Sequence, residues 1–231
     1  MRDVIRLKIL DGLSAPVPEF TRRDIRLPGV AGKAVAVVGM RRTGKTTFLW
    51  QVLAERQARG TGREGLLYFN FEDERLAGMT ASHLEIVLEE YYRLNPEWRG
   101  GRRAVFFFDE MQNVPGWEVF ARRVMDTEKV ELFVSGSSAR LLSREVASSM
   151  RGRAMEALVH PFSFREFLRH AGREPGRPPV RLTKATRSAL DKSLQSYLAR
   201  GGFPEAQGIQ PRDRFDLLRG YVDTCLLRDV V

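Results

Sequence analysis

Cysteine is nearly absent from this chain: Cys225 stands alone among 231 residues. No internal disulfide can form, and a reducing cytoplasm is the expected compartment. Long apolar runs are missing too. The longest have strand length, so no membrane-spanning segment is expected. The N-terminal MRDVIRLKILDG lacks the apolar stretch of a signal peptide. Three histidines occur, His83, His160 and His170, and their spacing matches no metal-ligand pattern, which argues against a protein zinc site. No internal repeat or low-complexity tract is visible. What remains is 43% hydrophobic, enough for one large domain, or a medium domain with a small appendage.

Charge is uneven. Lys and Arg number 38 against 29 Asp and Glu, a net charge of +9. Residues 1–32 carry net +2, residues 33–160 also +2, and residues 161–231 carry 13 basic and 8 acidic groups, net +5. A basic excess attracts polyanions, which makes nucleic acid a candidate partner. An arginine-rich composition without such a partner fits the same numbers, since no basic run is dense.

Residues 1–32 read as a lead-in broken by Pro16, Pro18 and Pro28. From residue 33 strands and helices alternate, the pattern of a parallel sheet with helices on its faces. Buried strands are expected at 33–38, 66–71, 104–108, 130–134 and 155–159, each a short apolar run. Helices are expected at 45–59, 80–93 and 115–125, with Pro115 suited to a first turn. A further short helix is expected near 139–146. Beyond His160-Pro161 only helical patterns remain, at 162–170, 186–199 and 215–231, with a loop at 173–179. The expected division is thus a lead-in (1–32), an α/β core (33–160) and a small helical lid (161–231). The last helix has no terminator, so the chain is expected to be part of a longer protein.

Gly39-Met40-Arg41-Arg42-Thr43-Gly44-Lys45-Thr46 fits the phosphate-loop pattern G-x-x-x-x-G-K-[ST]. Glycines let the backbone wrap a phosphate and turn N–H groups inward. The helix that follows offers its positive end to the anion. Lys45 is expected to reach the β- and γ-phosphates, and the Thr46 hydroxyl to ligate Mg²⁺. With Thr47, residues Gly39, Arg41, Arg42, Thr43, Gly44, Lys45 and Thr46 form the expected ATP-binding set.

The third strand, AVFFF, ends in Asp109-Glu110. Strand C-termini face the ligand crevice of an open α/β sheet. Asp109 is placed to hold Mg²⁺, and Glu110 to orient and deprotonate a water. Asn70, Asn95 and Asn113 are followed by Phe, Pro and Val, so the Asn-Lys-x-Asp guanine reader is missing and ATP is favoured over GTP. The fourth strand runs into Ser135, Ser137 and Ser138. One of them is expected to bond the γ-phosphate or the water, with Ser137 chosen as the catalytic candidate, and Ser137 or Ser138 would also suit a helix N-cap. Arg151 and Arg153 are candidates for stabilising transition-state charge, in the same subunit or in a neighbour of a homo-oligomer. Glu72-Asp73-Glu74 fits either a position near the water or an exposed acidic loop. Trp50, Trp98 and Trp117 read as packing residues.

Together these segments resemble the AAA+-like branch of P-loop ATPases. More narrowly they resemble predicted bacterial and archaeal ATPases with paired arginines in the phosphate loop, here GMRRTGKTT. FFFDEMQNV, FVSGSSARLL, MRGRAMEALVHPFSFREFL, YLARGGFPEA and YVDTCLLRD carry the rest of the resemblance, over about residues 20–231. It implies a parallel sheet of order 5-1-4-3-2 with a helical lid. It also implies that Gly202-Phe203-Pro204 corresponds to the lid G-x-P motif, whose proline packs on adenine, although spacing alone suits a plain interhelix turn. Relatives usually continue into a C-terminal domain, often nuclease-like. The expected function is Mg-dependent ATP hydrolysis coupled to lid movement. A slow nucleotide-gated switch acting on an unknown protein partner and a DNA-associated ATPase helper are the alternatives.

Overall fold

A computed structural model describes residues 1–136, 150, 152–176 and 183–225. The chain divides into two compact units: Met1–Pro18, Ile25–Gly39 and Lys45–Val159 form the first, and Glu19–Asp24, Met40–Gly44 and His160–Val231 the second.

The first unit is built on five parallel strands: β1 (Ala34–Val38), β2 (Leu66–Asn70), β3 (Ala104–Asp109), β4 (Val130–Gly136) and β5 (Ala154–Leu158). Their order is β2-β3-β4-β1-β5, the expected 5-1-4-3-2 read from the other edge. Every pairing is parallel, with Phe107 opposite both Tyr68 and Phe133, and Val38 opposite Gly136 and Leu158. The ends of β1, β3 and β4 therefore emerge together. β1 and β3 are buried along their whole length, because helices cover both faces.

On one face, α2 (Lys45–Ala58) lays Phe48, Leu49, Val52 and Leu53 against Val35, Val37, Val105, Phe107 and Phe133. The other face packs Phe69, Phe106, Phe108 and Val134 with α1 (Arg2–Ser14), α3 (Ala81–Leu94) and α4 (Trp117–Thr127). Alternate strand residues serve opposite faces, as the pleat requires. In α3, Leu84, Val87, Leu88 and Tyr91 are buried at helical spacing. Trp50, Trp98 and Trp117 are buried packing residues.

Two local expectations change. The lead-in contains α1, whose Ile5 and Ile9, one turn apart, are fully buried in the core. The prolines that suggested an irregular segment all lie beyond it. Helix α4 begins at Trp117, with Gly116 in the left-handed conformation as its N-cap, so Pro115 precedes the helix. The helix expected near 139–146 lies outside the described residues.

The second unit contains α5 (Phe164–His170), α6 (Lys184–Arg200) and α7 (Pro211–Cys225). Helix α5 starts with a reciprocal capping box: Ser163 Oγ accepts the Glu166 N–H, and Glu166 Oε2 accepts the Ser163 N–H. Phe162 N–H donates to the Gly202 carbonyl at 2.6 Å, and a Cβ at Gly202 would collide with the Phe162 carbonyl oxygen. Among the described residues, no helix is long and apolar enough to cross a membrane.

Candidate functional site

In the first unit, chemistry gathers where β3 ends. Asp109 is its last residue and is 0% exposed. Residues 105, 107 and 109 share the face toward α2, so the carboxylate turns toward the start of that helix. Thr46, in the first turn of α2, donates its hydroxyl to Asp109 Oδ2 at 2.7 Å. Tyr68 on β2 donates its phenol to the same oxygen at 2.7 Å. Ser135 on β4 donates to Oδ1. Three hydroxyls thus converge on one buried carboxylate. Burial first, and then the Asp109 charge, push the Tyr68 phenol far above its usual range, so it remains a donor.

Glu110 follows in the left-handed conformation, with φ 54°, which costs a non-glycine residue about 1–2 kcal/mol. Its N–H donates to Ser135 Oγ at 3.2 Å. Its Oε2 accepts Gln112 Nε2 at 2.5 Å. Lys45, the first residue of α2, is buried.

The donor set bears on metal fit. A threonine hydroxyl and a fully buried carboxylate lie within hydrogen-bond distance of each other at the start of a helix. Hard oxygens of this kind suit Mg²⁺.

In the second unit, the loop residues Arg42, Thr43 and Gly44 are held from several sides. Thr43 Oγ1 donates to the Met40 carbonyl at 2.9 Å. Arg23 Nη1 donates to the Thr43 carbonyl at 2.9 Å, and Nη2 to the His160 carbonyl at 2.5 Å. Gly44 has φ +93°, a conformation that favours glycine, and a Cβ there would meet Arg23 Nη1 at 3.3 Å and Pro204 Cγ at 3.9 Å. Pro204 therefore lies beside the loop. Arg42 Nη1 reaches both oxygens of Glu205 at 3.1 Å, and Glu205 also accepts the Tyr221 phenol at 2.5 Å. Burial, and next that carboxylate, push Tyr221 up to about 12. Arg41 and Arg42 line a cavity of about 470 Å³ with Asp216, Leu217, Tyr221 and Thr224. Arg41 Nε is buried without a hydrogen-bond partner.

Thr46, Asp109 and Glu110 are thus brought together, and Ser135 joins them. Ser137, Ser138 and Arg151 lie outside the described residues. Arg153 is not at this end of the sheet. It precedes β5, and the next residue, Ala154, pairs with Ala34 at the start of β1. It bonds the Asp126 carboxylate. A five-residue strand, roughly 16 Å, separates it from the end of β1, so its own chain does not present it to the phosphate loop's strand end. Asp73 caps a short turn and pairs with Lys8 at 2.7 Å and Arg75 at 2.8 Å, so this carboxylate of the acidic segment is engaged in structural ion pairs.

Sequence reasoning missed Tyr68, Gln112 and Arg23. Tyr68 looked like one more aromatic in a buried strand. Gln112 reaches Glu110 only through the turn at 111–113, which no spacing pattern marks. Arg23 sat in a segment with no periodicity.

A family model described as an AAA domain matches residues 31–168. An uncharacterized protein of Methanocaldococcus jannaschii is 33% identical over 225 residues, spanning 96% of this chain and 48% of the relative. An uncharacterized protein of Haemophilus influenzae is 29% identical over 195 residues, spanning 84% and 45%. The chain spans about half the length of these curated relatives. Among solved structures, the Aeropyrum pernix ORC1 protein in complex with DNA aligns with 99% of this chain and 61% of its own, at TM-score 0.43 and 17% identity.

Proposed function

The chain belongs to the AAA domain family of nucleotide-binding ATPases, and from that premise we propose that it binds Mg·ATP and hydrolyses it to ADP and phosphate. The observation that carries the reading is the Thr46–Asp109 hydrogen bond beside Glu110. Lys45 and the amides of Gly39, Arg41, Arg42, Thr43, Gly44, Thr46 and Thr47 bind the phosphates. Thr46 and Asp109 hold magnesium, which when bound neutralises charge on the transferring phosphoryl group. Glu110 orients the attacking water and takes its proton. The water oxygen bonds the γ-phosphorus as the bond to the bridging oxygen breaks, and ADP leaves. Ser135 keeps Asp109 and the Glu110 backbone in register. Pro204 borders the Gly44 turn of the phosphate loop within the second unit. Arg151 or Arg153 serves the site of a neighbouring copy in a homo-oligomer. The single cysteine supports a reducing, cytoplasmic setting.

Steady-state ATP turnover of the parent, Lys45→Ala and Glu110→Gln tests this. Lys45→Ala is expected to abolish nucleotide binding, and Glu110→Gln to keep binding and lose turnover. Parental turnover in the glutamine variant would remove Glu110 from the mechanism. Adding duplex DNA tests the basic segment 161–231 as a nucleic-acid surface, with stimulation that falls steeply with salt as the supporting result.

A second reading, a slow nucleotide-gated switch, is favoured by the Arg42–Glu205 pair, which couples a loop arginine to the GGFPE segment. Stoichiometric ADP retained through chromatography supports it. Rapid multiple turnover counts against it.

A further inference from the structure

We infer that Tyr68 is a positioning residue for magnesium-dependent nucleotide binding, its phenol fixing the Asp109 carboxylate so that Asp109 and Thr46 serve one cation. The inference rests on the reading that Thr46 and Asp109 hold the metal.

The sheet order explains the geometry. β3 lies between β2 and β4. Asp109 at the end of β3 is gripped by one hydroxyl from each neighbour, Tyr68 from β2 on Oδ2 and Ser135 from β4 on Oδ1. Two donors on the two oxygens fix the carboxylate plane, which one donor would leave free to turn. Tyr68 selects the oxygen that Thr46 also uses, at the same 2.7 Å. Thr46 spends its hydrogen on Oδ2 and keeps its oxygen lone pairs for a cation. A carboxylate that turned away would draw the threonine hydroxyl with it.

The phenol is itself held. Tyr68 packs on Trp50 with ring centroids 4.4 Å apart, and the ring has no rotatable bond between Cγ and the hydroxyl oxygen. Its register partner is Phe107, two residues before Asp109 on the same face. A tyrosine serving only as core would need no polar tip, whereas this tip ends on the one buried carboxylate of the site.

Tyr68→Phe keeps the ring on Trp50 and deletes the donor. ATP binding is measured by calorimetry in EDTA and across a Mg²⁺ series, with the thermal midpoint recorded. The expected result is a half-saturating Mg²⁺ concentration raised by about tenfold or more, with Mg-free ATP affinity unchanged. A folded variant with the parental Mg²⁺ requirement overturns the inference. So does equal loss of binding with and without Mg²⁺, which marks a merely structural role. Asp109→Asn is run in parallel. If it leaves the Mg²⁺ requirement unchanged, the metal-site reading fails, independently of the Tyr68 result.

Discussion

Arg23 and Glu166 form an ion pair 3.1 Å apart inside the second unit, with side chains only 3% and 5% exposed, although 143 positions separate them. The carboxylate also accepts the backbone N–H groups of Asp24 and Ser163, each at 2.8 Å. The guanidinium in turn holds the Thr43 carbonyl and lies over the Phe162 ring at 4.9 Å. One buried charge pair therefore ties the phosphate loop to two other stretches of its unit. Pairing this complete offsets the desolvation of both ions.

The pair has a pH consequence. Burial by itself raises the Glu166 pKa, but the N–H donors of Asp24 and Ser163, with Arg23, outweigh it and hold the carboxyl below its ordinary 4.5. A carboxyl whose folded pKa is depressed stabilises the fold above the unfolded value, and that stability is lost as pH falls through the folded one. Glu166→Gln is expected to cost about 3–5 kcal/mol at pH 7, because it leaves Arg23 buried without its counter-ion. The variant is also expected to show a shallower loss of stability below about pH 4.5. Urea melts from pH 7 to pH 3 read both effects. An unchanged acid slope would assign the acid sensitivity to other carboxylates.

Ser135 is expected to matter more than Ser137. Ser135 is 1% exposed and bonds both Asp109 and the Glu110 N–H. Ser135→Ala should lower ATP turnover by about 10–100-fold, the usual cost of losing an outer partner of a metal ligand, with Mg-free nucleotide binding retained. Steady-state kinetics of Ser135→Ala beside Ser137→Ala decides between them. A larger loss in the Ser137 variant would return the assignment to the serine chosen from sequence.

Gly202→Ala should weaken the second unit by about 1–3 kcal/mol, the cost of forcing a methyl into a packed site. The added Cβ would drive the chain off the Phe162 carbonyl, whose own N–H donates to Gly202. Thermal melts measure the loss. Because the neighbouring Pro204 lies against Gly44, ATP affinity is expected to fall with it. A melt unchanged from the parent would mean that the turn relaxes freely.

Much of the fold was legible in local patterns. Short apolar runs can only be buried strands when a helix-length segment separates each from the next, and the strands found at 34–38, 66–70, 104–109, 130–136 and 154–158 lie within a few residues of the expected ones. The strand–loop–helix setting of Gly39–Thr46 and the acidic end of β3 are equally local, because each is carried by contiguous residues. Helix α1 was not legible. Its apolar positions are few, and its burial comes from packing on β2 and α3 rather than from its own periodicity.

Sequence by itself therefore determined the succession of strands and helices along the chain, the glycine-rich loop between β1 and α2, and the acidic end of β3, since each is written in contiguous residues whose spacing sets their geometry. Tertiary structure alone decided that the hydroxyls of Thr46, Tyr68 and Ser135 reach Asp109, that Arg153 lies just before β5 at the far end of the sheet, and that Arg23 finds Glu166. Those outcomes depend on strand order, parallel register and burial, which bring together residues 26 to 143 positions apart, and no spacing along the chain encodes a distance across a sheet.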